Sequence, residues 1–223
     1  MAQVDSIPNI STQRGDAVID LINLLDLGPI DYSTALDLQR SIHDEVASGA
    51  RNSTLLLLEH HSIFTAGKRT EAHERPINSP VIDVDRGGKI TWHGPGQLVG
   101  YPIVKLRDPH ELVGYVREIE SSIIHSLAQF GIQGERVAGR SGVWIEGNRK
   151  IAAIGIRVAQ GVTMHGFAIN VNCSLNAYNE IIPCGIIDSA VTSVAEELKR
   201  PISIADVLGV FETNMRQTLK ELI

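Results

Sequence analysis

The chain has 223 residues, of which 43% are apolar and 21% charged, a balance typical of a globular protein that buries a core without disulfide or metal staples. Its formal net charge of −6 argues against a general nucleic-acid binder, and the longest purely aliphatic run, Leu55 to Leu58, is too short to span a membrane. The N-terminus lacks the basic and apolar regions of a secretory signal. We therefore predict a cytoplasmic protein, with a loose tail at residues 1–16 and a single domain at residues 17–223.

The apolar pattern predicts helices and strands that alternate irregularly. In chain order, the predicted elements are a helix from Ser33 to about Ser48 that stops at Gly49, strands at Thr54–Leu58, Val81–Val84, Lys89–Trp92 and Gln97–Val104, a helix from Glu111 to about Phe130, a hairpin of Val143–Ile145 and Lys150–Val158, a strand at Met164–Val171, and a helix from Ile204 to about Leu222. Ser203 is the expected N-cap of the last helix, with Asp206 at N3. The absence of strict βαβ order favours an α+β fold with a mixed or largely antiparallel sheet.

Charge is distributed unevenly along the chain. Residues 1–67 carry 3 basic and 9 acidic side chains, residues 68–107 carry 7 and 4, and residues 108–223 carry 10 and 13. A locally basic face on an acidic protein suits an anionic ligand or an acidic partner protein. A solvated surface of mixed charge is the competing interpretation.

The chain contains two cysteines, Cys173 and Cys184. We expect both thiols to be free in a reducing compartment, because a chain of this size needs no disulfide. Cys173 ends an apolar run and has the pattern of a small core residue. Cys184 lies between Pro183, which fixes the backbone, and Gly185, which permits close approach, as a nucleophile on a loop requires. Its neighbours alone leave both interpretations open, core residue and nucleophile.

Lys150 is a candidate partner for a reactive thiol. The thiolate is the reactive form of cysteine, and a nearby cation stabilises it. Lys150 opens the second strand of the predicted hairpin and precedes a stretch of small and apolar residues, 151–155, that could line a ligand channel. A solvated hairpin lysine is the alternative.

Glycines and histidines suggest further sites. The clusters at Gly87-Gly88, Gly94-Pro95-Gly96 and Gly166 have no phosphate-loop spacing, so we reject nucleotide binding by those motifs. They permit close backbone approach to an uncharged ligand, or are structural turns only. The eight histidines show no metal-ligand spacing, and His60 and His61, if adjacent in a strand, would point to opposite faces. We predict no metal site.

Four sequence blocks, taken together and in order, resemble the lipoyl(octanoyl) transferase family. The blocks are residues Arg86–Pro102, Lys150–Ala152, His165–Asn172 and Pro183–Ile186, and Thr192-Ser193 also fits the family pattern. The resemblance extends from about Leu55 to Glu197. The family is similar in fold to biotin protein ligases and lipoate ligases, which implies a domain with a bent, mixed sheet packed by helices.

The resemblance implies roles for individual residues. The cysteine that matches Cys184 forms an acyl-thioester, and the lysine that matches Lys150 stabilises the thiolate and shuttles protons. The implied acyl-binding residues form three segments and one nearby histidine; they are His60, Arg86, Gly87, Gly88, Lys89, Ile90, Thr91, Trp92, His93, Ala153, Ile154, Gly155, His165, Gly166, Phe167 and Ala168. The sequence departs from the common pattern at Trp92, where many members carry tyrosine, and at Ile169, where leucine is common.

The reaction implied by the resemblance takes octanoyl from acyl carrier protein to a lysine of lipoyl domains, in the E2 subunits of 2-oxoacid dehydrogenases and in the glycine cleavage H protein. It uses neither ATP nor a cofactor. Because both partners are usually acidic, we expect basic residues to dock them, namely Lys68, Arg69, Arg75, Lys89 and Arg149. The alternatives are an ATP-dependent lipoate or biotin ligase, a noncatalytic acyl- or lipoyl-binding protein, and a thioesterase.

Overall fold

The computed structural model describes residues 19–181 and 190–223, so the predicted tail and Cys184 lie outside the described residues. Within these ranges the helices are α1 (Tyr32–Ser48), α2 (Leu112–Ala128), α3 (Val194–Leu198) and α4 (Ile204–Leu222). The strands are β1 (Ile19–Asn23), β2 (Ser53–Leu58), β3 (Ile63–Ala66), β4 (Val81–Asp83), β5 (Thr91–His93), β6 (Gln97–Ile103), β7 (Glu135–Val137), β8 (Arg140–Ile145), β9 (Arg149–Ala159), β10 (Val162–Asn170) and β11 (Ala190–Val191). None of these helices combines the length and apolar character that a membrane span needs.

The main sheet is mixed and mostly antiparallel. Its strand order is β1-β2-β6-β10-β9-β8-β7, with β11 paired to β9. The pairs β1/β2 and β11/β9 are parallel, and the other ladders of this sheet are antiparallel. A smaller sheet has the order β4-β3-β5. The predicted α+β fold with a mixed, largely antiparallel sheet is therefore confirmed.

Strand β2 is apolar because helices cover both of its faces. Successive strand residues point to opposite faces. Leu55 and Leu57 pack in a core cluster that includes residues of α2 and α4, whereas Leu56 and Leu58 pack in a cluster that includes residues of α1. Each fully buried leucine contributes about 1.5–3 kcal/mol. Strands β2, β6 and β10 lie next to one another in that order at the centre of the sheet, which carries the candidate site.

The ends of two helices follow the sequence signals. The Ser203 hydroxyl accepts a hydrogen bond from the Asp206 N–H at 3.3 Å, and the Asp206 carboxylate accepts one from the Ser203 N–H at 2.8 Å. This capping box starts α4 and confirms the prediction. Helix α1 ends at Gly49, which has a φ of +80° that glycine adopts without strain.

One strand prediction was wrong in detail. The strand predicted at Lys89–Trp92 begins only at Thr91, because the Lys89 carbonyl accepts a hydrogen bond from the Arg86 guanidinium at 2.8 Å instead of joining a ladder. Strand β2 ends at Leu58 as predicted, so His60 and His61 lie outside it, and His60 forms an isolated bridge with Ile30. The remaining predicted elements are present, with ends that match or are shifted by up to three residues, and the short elements β1, β3, β7, α3 and β11 were not predicted.

Candidate active site

One cavity of about 390 Å³ brings together most of the residues that the sequence singled out. Twelve of the sixteen expected acyl-binding residues line it, together with Lys150. These twelve are Arg86, Gly88, Lys89, Ile90, Thr91, Ala153, Ile154, Gly155, His165, Gly166, Phe167 and Ala168. Residues that sequence reasoning did not assign to the ligand site also line it, namely Tyr32, Arg69, Tyr101, Gly139, Arg140 and Ser141.

Small residues on β9 and β10 line the side of the cavity that the sheet forms. Gly166 is the cross-strand partner of Gly155, and Ala168 is the partner of Ala153. Directly opposed residues of an antiparallel pair share a face of the sheet, and so do residues two apart in a strand. The four small residues therefore lie side by side. The two glycines admit close protein neighbours, Arg86 next to Gly155 and the Gly100 carbonyl next to Gly166, and the short side chains of Ala153 and Ala168 leave room in the cavity.

The segment at Arg86–Ile90 forms another wall and is tied to β9. The Gly87 N–H donates to the Ile156 carbonyl at 2.8 Å. At Gly155 the segment comes so close that an added Cβ would lie 2.9 Å from Arg86 Cδ. The buried Arg86 guanidinium donates to the carbonyls of Thr65 and Lys89, both at 2.8 Å. Arg86 therefore shapes the wall as well as lining the cavity.

Lys150 is buried in the strand β9, with 6% of its side chain exposed. The alternative of a solvated hairpin lysine is therefore wrong. Its Nζ lies 4.5 Å from the centroid of the Trp144 ring. Val191 pairs with Lys150, and the Thr192 N–H donates to the Lys150 carbonyl at 3.0 Å. The chain that follows residues 182–189 thus joins the sheet at Lys150.

Two tyrosines with neutral hydroxyls line the cavity. Burial raises the pKa of Tyr32 to about 12, against the opposing charge of Arg86, and raises the pKa of Tyr101 well above its usual value. The Tyr101 hydroxyl donates to His60 Nε2 at 2.6 Å, while His60 Nδ1 donates to the Ile30 carbonyl at 2.9 Å. Burial lowers the pKa of His60 to about 4. His60 is therefore neutral near pH 7 and orients Tyr101 from behind the cavity.

His165 connects the cavity to an ion pair. Its Nε2 donates to Asp85 Oδ1 at 2.8 Å, and Asp85 also pairs with Arg157 at 2.9 Å. Burial lowers the pKa of His165, against the effect of Asp85. The pKa of Asp85 is lowered although burial opposes this, because His165 and Arg157 stabilise the carboxylate. His165 has a φ of +58°, rare for a side-chain-bearing residue, and its N–H donates to the Gln39 side chain at 3.0 Å.

Four expected acyl-binding residues do not line the cavity. His60 and Gly87 support its walls, as described above. Trp92 packs in a separate core cluster and donates from Nε1 to the Ser62 hydroxyl at 2.9 Å. His93 stacks on Tyr32 with the ring centroids 5.9 Å apart, and its Nδ1 lies 3.2 Å from the Gln97 side-chain oxygen.

Cys173 is a core residue, as predicted. Its side chain is buried in the cluster that contains Trp92 and Tyr178. Burial raises the pKa of the Cys173 thiol to about 12, so the thiolate is scarce at neutral pH. Among the described residues, no group of three His, Cys, Asp or Glu side chains is arranged to bind a metal ion.

The basic segment at residues 68–107 does not form a single basic face. Arg86 is buried, Lys105 and Arg107 line a different cavity, and Lys89 pairs with Glu71 at 3.1 Å and with Glu74 at 2.5 Å. Of the other expected docking residues, Arg75 pairs with Asp83 and Arg149 pairs with Glu146 and Glu197. Lys68 and Arg69 are exposed and form no ion pair with a described residue.

The cavity is positively charged. Five of its lining residues are lysine or arginine, and no described Asp or Glu side chain lines it. Tyr32 and Tyr101 were missed because no local motif marks them: Tyr32 lies at the start of α1 and reaches His165, 133 residues further along the chain. Arg140 and Ser141 were missed because the predicted hairpin strand began three residues too late.

The fold is shared with enzymes that attach lipoate. An archaeal bipartite lipoate protein ligase from Thermoplasma acidophilum, studied with its E2 lipoyl domain, superposes with a TM-score of 0.64 at 18% identity, covering 82% of this chain and 79% of that one. At this identity the likeness shows the fold alone.

Sequence comparison identifies the family. Residues 31–216 match the lipoyl protein ligase A/B catalytic domain, and the chain belongs to this family. An octanoyltransferase of Leifsonia xyli is 59% identical over 188 residues, which cover 82% of this chain and 84% of the relative. An octanoyltransferase of Salinispora arenicola is 53% identical over 200 residues, which cover 87% and 94%.

Proposed function

We propose that the protein transfers an octanoyl group from acyl carrier protein, through a thioester on Cys184, to a lysine of a lipoyl domain. The observation that carries the proposal is the burial of Lys150 in a cavity floored by small residues, in a chain whose relatives are named octanoyltransferases. The E2 subunits of 2-oxoacid dehydrogenases and the glycine cleavage H protein are the proposed acceptors. The proposed location is the cytoplasm.

In the first half-reaction, the Cys184 thiolate attacks the carbonyl carbon of the octanoyl thioester. The new carbon–sulfur bond forms as the bond to the phosphopantetheine sulfur breaks, and the Lys150 ammonium protonates the departing thiolate. One thioester replaces another of similar energy, so this half is readily reversible. A buried cation near a thiol favours the reactive thiolate, because opposite charges attract more strongly where water is excluded, and this is the role proposed for Lys150.

In the second half-reaction, the acceptor lysine attacks the acyl-enzyme. Lys150, now neutral, takes a proton from the attacking amine, and the Cys184 thiolate leaves as the amide forms. Lys150 is then again an ammonium and Cys184 again a thiolate, as at the start of the reaction. The amide is more stable than the thioester, so this half draws the reaction forward without ATP.

The acyl chain is proposed to lie along the cavity beside Ala153 and Ala168, because Arg86 and the Gly100 carbonyl occupy the space next to Gly155 and Gly166. Each methylene buried there contributes about 0.8 kcal/mol, so binding discriminates between chain lengths. The neutral hydroxyls of Tyr32 and Tyr101 lie beside the chain, and the Tyr101 hydroxyl is held there by its hydrogen bond to His60.

The test is a transfer reaction without ATP. Purified protein, octanoyl-acyl carrier protein and a lipoyl domain are mixed, and the intact mass of the acceptor is followed. We expect the acceptor to gain one octanoyl group. A requirement for free octanoate and ATP would instead identify a ligase, and release of octanoate without acceptor modification would identify a thioesterase. A protein that binds octanoyl-acyl carrier protein and transfers nothing would be noncatalytic.

Lys68 and Arg69 are the proposed docking residues for the acidic carrier, since the other basic candidates are paired or buried. Reversing both charges, Lys68→Glu with Arg69→Glu, is expected to lower kcat/KM for the carrier donor about tenfold at low salt and to flatten its salt dependence. The matched control is Lys220→Glu, which reverses an exposed charge on α4. It should leave kcat/KM and its salt dependence nearly unchanged. The docking assignment is wrong if the double variant keeps the salt dependence of the wild type.

A further inference from the structure

Trp144 lies against the ammonium group of Lys150. The distance from Lys150 Nζ to the centroid of the Trp144 ring is 4.5 Å. Both side chains are buried, and the indole is fully excluded from solvent. A cation within about 6 Å of an aromatic centroid is attracted to the ring face, most strongly by tryptophan and most strongly where water is absent. The pair therefore has the geometry of a cation–π interaction in a desolvated site.

A β-bulge creates this pairing. Val143 in β8 is opposite Ala152 in β9, but the next residue, Trp144, is opposite Lys150. Ile151 is thus the extra residue, and a regular ladder would place Trp144 opposite Ile151 instead. Because the facing of side chains alternates at every residue, one inserted residue changes which side chain meets the partner strand. The bulge brings Lys150 to the indole.

A buried carboxylate on α2 holds β8 beside the stem of Lys150. Glu120 is fully buried, and its Oε1 accepts a hydrogen bond from the Gly142 N–H at 2.8 Å. Its Oε2 accepts from Arg117 at 2.6 Å. A Cβ added at Gly142 would lie 3.3 Å from Lys150 Cε, and Gly142 has a φ of +104°. The backbone of β8 therefore packs against the aliphatic stem.

The indole nitrogen offers no competing reason for a tryptophan here. Trp144 Nε1 is buried and has no hydrogen-bond partner within residues 19–181 and 190–223. A buried N–H without a partner destabilises a fold, and phenylalanine would avoid that loss. The large electron-rich face is the property of tryptophan that its surroundings use.

We propose that Trp144 is a positioning residue that holds the Lys150 ammonium group through its ring face. The inference rests on the role proposed for Lys150 above. Trp144 itself transfers no proton and acts through Lys150. Weakening the attraction should lower kcat, because fewer molecules hold Lys150 in the productive position, and should leave KM for both substrates nearly constant.

Fluorinated tryptophan tests the ring face without disturbing the fold. Fluorine withdraws electron density from the indole with little change in its size. We expect kcat for octanoyl transfer to fall about threefold with monofluorotryptophan and about tenfold with difluorotryptophan. The chain has two tryptophans, Trp92 and Trp144. The same series in Trp144→Phe changes Trp92 alone, and there kcat should stay constant. The inference would be overturned if kcat of the wild type did not change with the number of fluorine atoms, or if kcat fell equally in the wild type and in Trp144→Phe.

Two substitutions separate positioning from packing. Trp144→Phe retains an aromatic face and is expected to keep kcat within about fivefold, whereas Trp144→Leu is expected to lose about thirtyfold in kcat. Circular dichroism establishes that both variants are folded. If folded Phe and Leu variants lose the same factor, Trp144 serves packing only.

A spectroscopic readout keeps the inference separate from the proposed function. In protein with 13C-labelled lysine, the ε-methylene protons of Lys150, assigned by their loss in Lys150→Arg, should be shifted upfield by the ring current of Trp144. The shift should disappear in Trp144→Leu. An unshifted signal would overturn the positioning role. If the shift is present and no octanoyl transfer occurs, the proposed function fails while the contact stands.

Discussion

Cys184→Ala is expected to abolish the acyl-enzyme and to lower octanoyl transfer by about 10⁴-fold or more, because the proposed reaction has no nucleophile without the thiol. Cys184→Ser, which keeps a similar size but offers a hydroxyl that is protonated at neutral pH, should lose nearly as much. The measurement is the intact mass of the protein after incubation with octanoyl-acyl carrier protein, together with the rate of acceptor modification.

The second cysteine provides the matched control for this experiment. Cys173 is buried in the core and its thiol has a raised pKa. Cys173→Ala should therefore keep the mass increase and the transfer rate, with a modest loss of stability from the smaller side chain. An unchanged adduct on Cys184→Ala, or one lost only in Cys173→Ala, would contradict the assignment of the nucleophile.

Lys150→Ala is expected to lower the rate of transfer by about 10²–10⁴-fold, the range typical for loss of a general acid and base. Both half-reactions should suffer, because the variant neither stabilises the thiolate nor takes the proton from the acceptor amine. The measurements are single-turnover rates of acylation and of transfer. Lys105→Ala, which removes an exposed lysine from another cavity, is the control and should behave as the wild type.

Lys150→Arg separates the two roles of the lysine. Arginine keeps the positive charge but does not release its proton in proteins. The variant should therefore still form the acyl-enzyme, more slowly than the wild type, while transfer to the acceptor falls about 10²-fold or more. If acylation and transfer slowed by the same factor in Lys150→Arg, the positive charge of residue 150 alone would not account for acylation. Full activity of Lys150→Ala would remove Lys150 from the mechanism.

Much of the fold could be predicted because local signals agree with the tertiary structure. The capping box of Ser203 and Asp206 fixes the start of α4, and Gly49 ends α1. The long apolar patterns identify α1, α2 and α4, since each buries one face on the sheet. Short elements were missed because pairing across the sheet, as between β1 and β2, stabilises them more than their own residues do.

The candidate site was only partly predictable, because its chemistry depends on contacts between distant residues. The resemblance named three of its segments, and the structure brings most of their residues to one cavity. It did not name Tyr32 or Tyr101, which no local spacing connects to His60 or His165. The burial of Lys150 depends on a bulge and on Trp144, which periodicity along one strand does not reveal.

Arg86 illustrates a different limit of sequence reasoning. Its position in a glycine-rich block indicates a ligand contact, and it does line the cavity. However, its guanidinium also donates to the carbonyls of Thr65, Gly87 and Lys89, contacts that only the folded segment creates. Likewise, the excess of basic residues at 68–107 suggested one basic face, but of the five expected docking residues only Lys68 and Arg69 are exposed and form no ion pair with a described residue.

The most direct test of the account follows one acyl group through the enzyme. The protein is charged with 13C-labelled octanoyl-acyl carrier protein, freed of donor, digested to locate the label, and in parallel mixed with a lipoyl domain in the absence of ATP. The account predicts that the label sits on the peptide containing Cys184 and moves to one acceptor lysine as fast as steady-state turnover. A label found elsewhere, or an acyl-enzyme that hydrolyses without reaching the acceptor, would contradict it.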